Sequence, residues 1–410
     1  MADDKLLIAH LLRRTGFGPH PGQVDALAAG GYRAAFEQVV ARPALVPDPP
    51  TLGTKDDQGS LERWWLATLA HPDAGLHEKM VWFWHGHLTS SLDKTEPVAM
   101  ARQHALLRTH ALGNLRDLLQ AITVDAAMLD WLDGSSSTAE APNENYGREL
   151  MELFALGRTF HGAATYSEAD VRAAAYALSG WEVDGEKGAA VTFNAENGPT
   201  RAVTLLGQSV SSAKDVVDVI CQQPSLAAHI AGKLFQFFHG VFADEGQLAT
   251  LADGFRAGGL EIRPLVVAIL SDQSFVEHRM NRPRLPVEWA IAADAALGRN
   301  DVGSRRDLLD TLGQLPFNPP NVAGWPLSPR WLSAGAAMTR ASYAAQSAQD
   351  TEVSATADPV GWVLQQTSLF EVSDTTRAAL TKAANRLESK RERASALFAL
   401  ALSSPEFALS

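Results

Sequence analysis

The chain has 410 residues, of which 46% are hydrophobic and 20% are charged, a balance typical of globular proteins that bury a large core. Its formal net charge of −12 argues against binding nucleic acid or an anionic membrane through long-range attraction. Cys221 is the single cysteine, which excludes an intrachain disulfide and a thiolate zinc site, so a bound metal needs histidine and carboxylate ligands.

Helical periodicity of the apolar residues dominates the chain and predicts a mainly α-helical, multi-helix fold. No apolar stretch reaches the 18 residues that a membrane-spanning helix needs, so we expect no membrane span. Ser167 precedes Asp170 at the spacing of a capping box, which marks one helix start. The predicted helices cover about 4–14, 22–40, 60–70, 74–88, 96–111, 114–124, 144–156, 168–180, 212–222, 225–240, 245–257, 261–270, 285–297, 303–313, 330–348 and 376–402.

One segment, residues 187–208, carries a β signal, because two short alternating runs flank an Asn-Gly-Pro turn. We interpret it as a small β-hairpin inserted between two helical halves. The N-terminal half takes residues 1–185, the insertion takes 186–210, and the C-terminal half takes 211–410.

A proline-rich stretch at residues 315–330 predicts a long loop. It contains Phe317 and Trp325, which a solvated linker has little reason to carry. We therefore expect this loop to be ordered and packed against the body of the protein.

Histidine is concentrated in the region from His71 to His110, which holds six of the twelve. In the stretch VWFWHGHLTSS, His85 and His87 follow two tryptophans and a phenylalanine. On a strand the two imidazoles would share a face and chelate one metal, whereas on a helix they lie about 200° apart. Because the stretch continues a helical pattern, we expect the rings to diverge unless Gly86 breaks the helix. Two interpretations stay open: hydrogen-bonded core histidines, or a metal or catalytic role for at least one of them.

The most charged helix start lies in PNENYGRELMELFALG, residues 142–157. Asn143 is placed to cap this helix. Glu144, Arg148 and Glu152 follow at intervals of four, which predicts a ladder of ion pairs worth a few tenths of a kcal/mol per pair if exposed. A solvated ladder is therefore one interpretation of this helix.

The other interpretation is a functional pocket. Glu149 and Glu152 are three residues apart, the spacing at which helical bundles aim two carboxylates at one metal or one proton. Apolar residues surround most of the helix circumference, which predicts a buried helix whose carboxylates are paired, protonated or bound to metal.

Segments spread along nearly the whole chain resemble, in order, the landmark segments of the bacterial DUF1800 proteins. They are HLLRRTGFGP, FWHGHLTSS, HALGNLRDLLQAITVDAAMLDWLD, NENYGRELMELFALG, YSEADVRAAAYALSGW, IAGKLFQFF, SDQSFVEHRMNRPRLPVEW and PFNPPNVAGWP. The resemblance implies that residues 1–410 form one family unit, a single DUF1800-like domain.

The resemblance names no reaction, because the family is one of unknown function. Its members often look exported and are often encoded beside DUF1501 proteins, which implies a paired extracytoplasmic role with a DUF1501-type partner. This chain shows no export signal as given, so by itself it predicts a cytoplasmic location. The landmark residues that the resemblance implies are His85, His87, Asn143, Glu144, Arg148, Glu149 and Glu152.

Our leading hypothesis is an enzyme, of hydrolase or oxidoreductase type, with its pocket between the predicted 74–111 helices and the 144–156 helix. One divalent or iron-type metal is the expected cofactor. The assigned ligands are His85 or His87 with Glu149 and Glu152, while Glu144 or His104 serves as acid or base and Arg148 orients an anionic substrate group.

Two alternatives belong to other classes. The first is a metal-free, carbohydrate-active hydrolase that uses two of Glu144, Glu149 and Glu152 as acid and base, about 5 to 9 Å apart, with tryptophans binding a saccharide substrate. The second is a non-catalytic helical scaffold or partner protein, in which these glutamates and Arg148 form a buried ion network.

Overall fold

The computed structural model describes residues 2–48, 50–52, 57–185, 189–327, 329–349, 351 and 357–410. Within them the chain forms twenty-two α-helices and three small antiparallel hairpins, which confirms the predicted mainly α-helical fold. None of these helices is both long and apolar enough to cross a membrane.

The first half of the chain contains ten α-helices. They are α1 Ala2–Thr15, α2 Gln23–Ala28, α3 Gly31–Ala41, α4 Gln58–Leu69, α5 Leu76–His87, α6 Pro97–His110, α7 Leu115–Thr123, α8 Ala126–Trp131, α9 Glu144–Glu149 and α10 Glu168–Ala177. Short 3-10 helices cover Gly134–Ser136 and Pro329–Leu332, and a π-helix covers Leu150–Ala155.

The second half contains the other twelve. They are α11 Ala213–Cys221, α12 Pro224–His239, α13 Glu245–Ala257, α14 Ile262–Ser271, α15 Gln273–Glu277, α16 Pro286–Ala296, α17 Val302–Leu312, α18 Ala334–Ser347, α19 Pro359–Gln366, α20 Asp374–Arg386, α21 Lys390–Leu402 and α22 Pro405–Ala408. Many begin at a capping side chain, including the predicted capping box of Ser167 and Asp170 at the start of α10.

The strands pair only with their sequence neighbours. They are β1 Thr159–Phe160 with β2 Ala163–Ala164, β3 Trp181–Asp184 with β4 Ala190–Phe193, and β5 Val203–Leu205 with β6 Gln208–Val210. In the middle hairpin Trp181 lies opposite Phe193 and Asp184 lies opposite Ala190.

The β signal at 187–208 corresponds to parts of two hairpins rather than to one. Residues 187 and 188 lie outside the described part of the chain. The Asn-Gly-Pro segment does not form the tip of a hairpin, because Asn197 O accepts a hydrogen bond from Ala139 N at 2.8 Å. Gly180 O likewise accepts from Asn194 N at 2.7 Å, which folds β4 back onto β3 instead of onto β5.

The proline-rich loop after α17 packs against α5, as predicted. Phe317 is fully buried, and Thr89 Oγ1 donates to Val322 O at 2.6 Å. Gly324 has a φ of 73°, and a Cβ there would lie 2.0 Å from the Gly86 carbonyl oxygen. The loop therefore approaches the end of α5 closely because residue 324 is glycine.

Candidate functional site

The acidic helix α9 continues into the π-helix Leu150–Ala155, and two histidines from other helices bind the end of that π-helix. The last carbonyl groups of a helix have no partner within the helix. Here His87 Nε2 bonds to Phe154 O at 2.9 Å, and His229 Nε2 bonds to Leu153 O at 3.0 Å. The two imidazoles thus join α5 and α12 to the end of the acidic segment.

The hydrogen bond of His87 fixes its tautomer. A carbonyl oxygen only accepts, so Nε2 carries the proton and Nδ1 keeps a lone pair. Burial lowers the pKa of His87 to about 3, with smaller contributions from His229 and Lys233. His87 is therefore neutral at pH 7 and presents one basic nitrogen in a fixed orientation.

His87 lines a cavity of about 280 Å³ between α5, α12, the start of α16 and the loop after α17. At about 30 Å³ of liquid volume per water, this space is on the order of ten water molecules or one small ligand. The polar and aromatic residues that line it are Trp82, Phe83, His87, Lys233, Gln236, Phe237, Gln314 and Trp325.

The cavity is electropositive, although the chain as a whole carries a net charge of −12. Among the described residues, its lining contains Lys233 and no aspartate or glutamate. Two further cations lie over the ring of the lining residue Phe237, with Lys79 Nζ at 5.5 Å and the Arg282 guanidinium at 5.6 Å from its centroid. Glu288 binds both of those cations, so this group keeps one net positive charge behind Phe237, and Lys233 adds the positive charge in the lining of the cavity itself.

Two donors at the cavity lack partners in the described structure. Gln314 is fully buried, and its Nε2 has no acceptor, and Trp325 Nε1 is also buried without one. A buried polar group without a partner costs about 1–3 kcal/mol. A ligand that supplies acceptor atoms removes this cost.

An aromatic pair forms one wall. The rings of Trp82 and Trp325 stack at a centroid distance of 5.3 Å and an interplanar angle of 8°. Trp82 is 2% exposed, so the half-buried Trp325 is the ring of the pair that offers a flat apolar surface to a ring-shaped ligand.

His85 binds the loop after α17 and is not among the described residues that line the cavity. Its Nε2 accepts a hydrogen bond from Phe317 N at 3.2 Å, so the ring is bound to the loop backbone. Burial lowers the pKa of His85 to about 3, which keeps the ring neutral. Helix α5 continues through Gly86, so the imidazoles of His85 and His87 diverge, as their spacing predicts.

His104, the predicted acid or base, lies in an aromatic enclosure. Its ring centroid is 4.5 Å from that of Trp65, 5.0 Å from that of Trp64 and 5.5 Å from that of Phe317. The residue is 2% exposed, and burial holds its pKa well below the usual value. These contacts are those of a core histidine.

Glu144 and Arg148 come together, but at the surface. Arg148 binds both oxygens of Glu168 at 2.8 Å and one oxygen of Glu144 at 3.4 Å. The side chains of Arg148, Glu144 and Glu168 are 33%, 42% and 63% exposed. The buried ion network predicted for Arg148 is therefore wrong, because α9 turns this face outward and Glu168 reaches it from α10.

Glu149 and Glu152 are half-buried and have different surroundings. Glu152 accepts a hydrogen bond from Tyr166 and lies 3.3 Å from Arg158 Nε. Glu149 has no such partner in the described structure, and burial raises its pKa, with a smaller contribution from Glu152. Glu152 is thus fixed by two partners, while burial favours the protonated form of Glu149.

The predicted metal ligands are not assembled into a metal site. In the described part of the chain, no group of three or more His, Cys, Asp or Glu side chains is arranged to hold a metal ion. His87 binds the backbone of the acidic segment at Phe154 and not its carboxylates. His85, His87, Glu149 and Glu152 are therefore not arranged as a metal-ligand set in the described structure.

A buried ion network does exist elsewhere. Glu288 of α16 binds Lys79 of α5, and both of its oxygens accept from Arg282 Nη2 at 2.7 and 2.8 Å. All three residues are at most 2% exposed. The sequence pattern that would have indicated it is a lysine directly before the apolar run MVWFW of α5.

Three cavity residues were missed from the sequence. Lys233 and Gln236 are three residues apart in the apolar helix α12, a spacing that puts two polar groups on one face. Gln314 stands alone before the proline-rich loop and carries no such signal.

Comparison with curated proteins gives no match, and neither does comparison with solved structures. Comparison with protein families matches residues 10–409 to DUF1800, described as a protein of unknown function. Four of the segments that carry the resemblance, FWHGHLTSS, IAGKLFQFF, SDQSFVEHRMNRPRLPVEW and PFNPPNVAGWP, contribute lining residues to the 280 Å³ cavity. The match covers nearly the whole chain, and the chain belongs to the DUF1800 family.

Proposed function

We propose that the protein is an enzyme that acts on a small anionic molecule bound in the cavity beside His87. The observation that carries the proposal is the convergence of four distant landmark segments on one electropositive cavity with unpartnered donors. Ligand sites are commonly such concave, mostly apolar spaces with a few converging polar groups.

Each polar group has a role that follows from its chemistry. Lys233 attracts the anionic part of the substrate. Trp325, with Trp82 stacked behind it, binds its apolar or ring portion. His87 accepts a proton through Nδ1 from the substrate or from a water beside it, since Phe154 O holds the opposite nitrogen protonated. A bound anion also favours the imidazolium that this step produces.

His87→Gln tests the catalytic role. The glutamine amide still donates to Phe154 O but offers no basic nitrogen. His229→Gln is the matched control, because it makes the same change at the neighbouring carbonyl, Leu153 O, and His229 does not line this cavity. The assay is turnover of chromogenic carboxylate esters, phosphate esters, sulfate esters and glycosides.

We expect the wild-type protein to turn over at least one of these classes. His87→Gln then lowers kcat by about 100-fold or more, in line with the loss of a general base, while His229→Gln changes it little. Equal turnover by the two variants would remove His87 from the mechanism. Ligand binding without turnover of any class would make the cavity a binding site and end the enzyme proposal.

A second candidate is supported by the carboxylate pair. The pKa of Glu149 is raised while Glu152 is bound by Tyr166 and Arg158, and two carboxyls in different environments are the usual pair for acid and base. In this version, the metal-free glycosidase, Glu149 donates the proton and Glu152 is the ionised partner. Glu149→Gln then abolishes glycosidase activity and leaves ligand binding beside Trp82, followed by tryptophan fluorescence, unchanged. Unaltered glycosidase activity in Glu149→Gln would exclude the glycosidase.

A DUF1501-type protein stays the proposed partner. It is tested by co-expressing this chain with a DUF1501 protein and measuring whether the two co-elute at matched stoichiometry. Separate elution of the two proteins would remove the pairing.

A further inference from the structure

The side chain of Gln314 has a fixed orientation at the buried end of the cavity. Its Oε1 accepts a hydrogen bond from Val287 N at 3.0 Å. Val287 is the second residue of α16, so its N–H is one of the first donors of the helix and has no acceptor within it. Rotating the amide by 180° would set two donors against each other, so Nε2 must point away from Val287.

The Nε2 group has no acceptor within the described structure, and Gln314 is fully buried and lines the cavity. The amide also extends the polarity of the α16 N-terminus, because a hydrogen bond received at Oε1 polarises the amide and strengthens donation from Nε2. The cavity thus contains a strong neutral donor in addition to the charge of Lys233.

The charges at the cavity limit the kind of anion that fits. Among the described lining residues Lys233 is the single cation, and the one net positive charge of Lys79, Arg282 and Glu288 lies behind Phe237. A dianionic phosphate ester would meet only one cation in the described lining for its two negative charges. A carboxylate carries one charge, and its planar oxygens suit an ammonium group together with an amide N–H.

We propose that the ligand is a monocarboxylate, and that Gln314 is the specificity-determining residue which recognises its carboxylate alongside Lys233. This inference rests on the proposed anion-binding function of the same cavity. Gln314 does not take part in proton transfer; it selects the substrate by its head group.

Three probes with one phenyl ring separate the possibilities: benzoate, benzamide and phenyl phosphate. They share the part that stacks on Trp325 and differ in the charge and shape of the head group. Binding to the full chain is followed by tryptophan fluorescence and by isothermal titration, with glucuronate and glucose as a second matched pair. We expect wild-type protein to bind benzoate at least tenfold more tightly than benzamide and more tightly than phenyl phosphate.

Gln314→Glu is the informative variant. It keeps an acceptor for Val287 N, removes the donor and places a carboxylate in the cavity. Gln236→Glu is its control, since Gln236 of α12 also lines the cavity but is only half-buried, whereas Gln314 is fully buried. We expect Gln314→Glu to weaken benzoate binding by about 30-fold or more while benzamide binding changes less than threefold, and Gln236→Glu to have a clearly smaller effect on benzoate.

The outcomes distinguish this inference from the function on which it rests. Tighter binding of phenyl phosphate than of benzoate, or equal losses of benzoate affinity in the two glutamate variants, would overturn carboxylate recognition by Gln314 and leave an anion-binding cavity intact. Equal binding of benzoate and benzamide, or no binding of any probe, would overturn both. Lys233→Gln is a second test in case Gln314→Glu does not fold, because Lys233 is exposed and its replacement leaves the core unchanged. The proposal requires that Lys233→Gln also lose the preference for benzoate over benzamide.

Discussion

Two networks of acidic and basic side chains lie in very different surroundings. The network of Glu144, Arg148 and Glu168 is exposed by a third or more at each side chain. The network of Lys79, Arg282 and Glu288 is excluded from water. In water, both charges of a pair are already well solvated, so forming an exposed pair changes the free energy of unfolding little.

In the buried network the same chemistry has a large effect on stability. Each charge has lost its hydration, and only the other members of the network compensate for that loss. Glu288 is the one carboxylate shared by Lys79 and Arg282, so removing it leaves two buried cations without an ionised partner. The three residues also join α5, which carries His87, to the start of α16, which holds Gln314.

The largest effect is therefore expected for Glu288→Gln. We expect it to lower the free energy of unfolding by about 3–5 kcal/mol, measured by urea denaturation at pH 7. The control is Glu168→Gln, which makes the same change in the exposed network. A loss in Glu288→Gln no larger than that in Glu168→Gln would show that burial does not distinguish the two networks.

The change of the free energy of unfolding at acid pH gives a second measure of how much Glu288 stabilises the fold. Its two cationic neighbours outweigh burial and hold its pKa at about 2 in the folded protein, against a usual value of 4.5. The unfolded chain therefore binds more protons between these pH values, and the stability from ionised Glu288 is present above pH 4.5 and is lost as the pH falls towards 2. The shift corresponds to roughly 3 kcal/mol. We expect Glu288→Gln to lack this part of the pH dependence, and identical acid profiles for both proteins would contradict it.

A smaller loss is expected for Lys79→Met. Arg282 still binds Glu288 through two hydrogen bonds, and the change leaves Gly16 O, which accepts from Lys79 Nζ at 2.7 Å, without its donor. We expect a loss of about 1–3 kcal/mol.

The alkaline dependence of the wild-type protein provides the control for Lys79→Met. Burial lowers the pKa of Lys79 to about 8 from 10.5, so the unfolded chain binds more protons between these values and wild-type stability gains from a rise in pH across them. The variant has no such gain. A gain of the same size in Lys79→Met would assign the alkaline dependence to other groups.

The sequence predicted the helices well because periodicity of apolar residues reports which face is buried. It failed where one apolar pattern runs across two helices, as at 22–40, which the structure divides into α2 and α3. The predicted helix at 376–402 is two helices, α20 and α21, because Leu387 is extended and Ser389 caps α21 by accepting from Glu392 N. The spacing of Ser389 and Glu392 is a capping signal, and it was available in the sequence.

The candidate site was predicted only in part. The His87 segment was selected because histidines and tryptophans are concentrated there, and the structure places it at the cavity. Lys233 and Gln314 were not selected, since they are 146 and 227 residues further along the chain, taking the differences from residue 87. The burial of Arg148 was mistaken because apolar flanks show that a helix is covered on several sides but not which polar face stays open.

The smallest effect is expected for Arg148→Ala, which removes the centre of the exposed network. Because the side chain is a third exposed and its pairs are screened by salt, we expect a loss of at most about 1 kcal/mol, measured by urea denaturation. The loss should shrink further as salt is added, while that of Glu288→Gln should hardly change, since buried charges are screened much less. A loss for Arg148→Ala as large as that for Glu288→Gln, and insensitive to salt, would restore the scaffold hypothesis. In that case the acidic helix, and not the contact of α5 with α16, would be the polar centre that stabilises the fold.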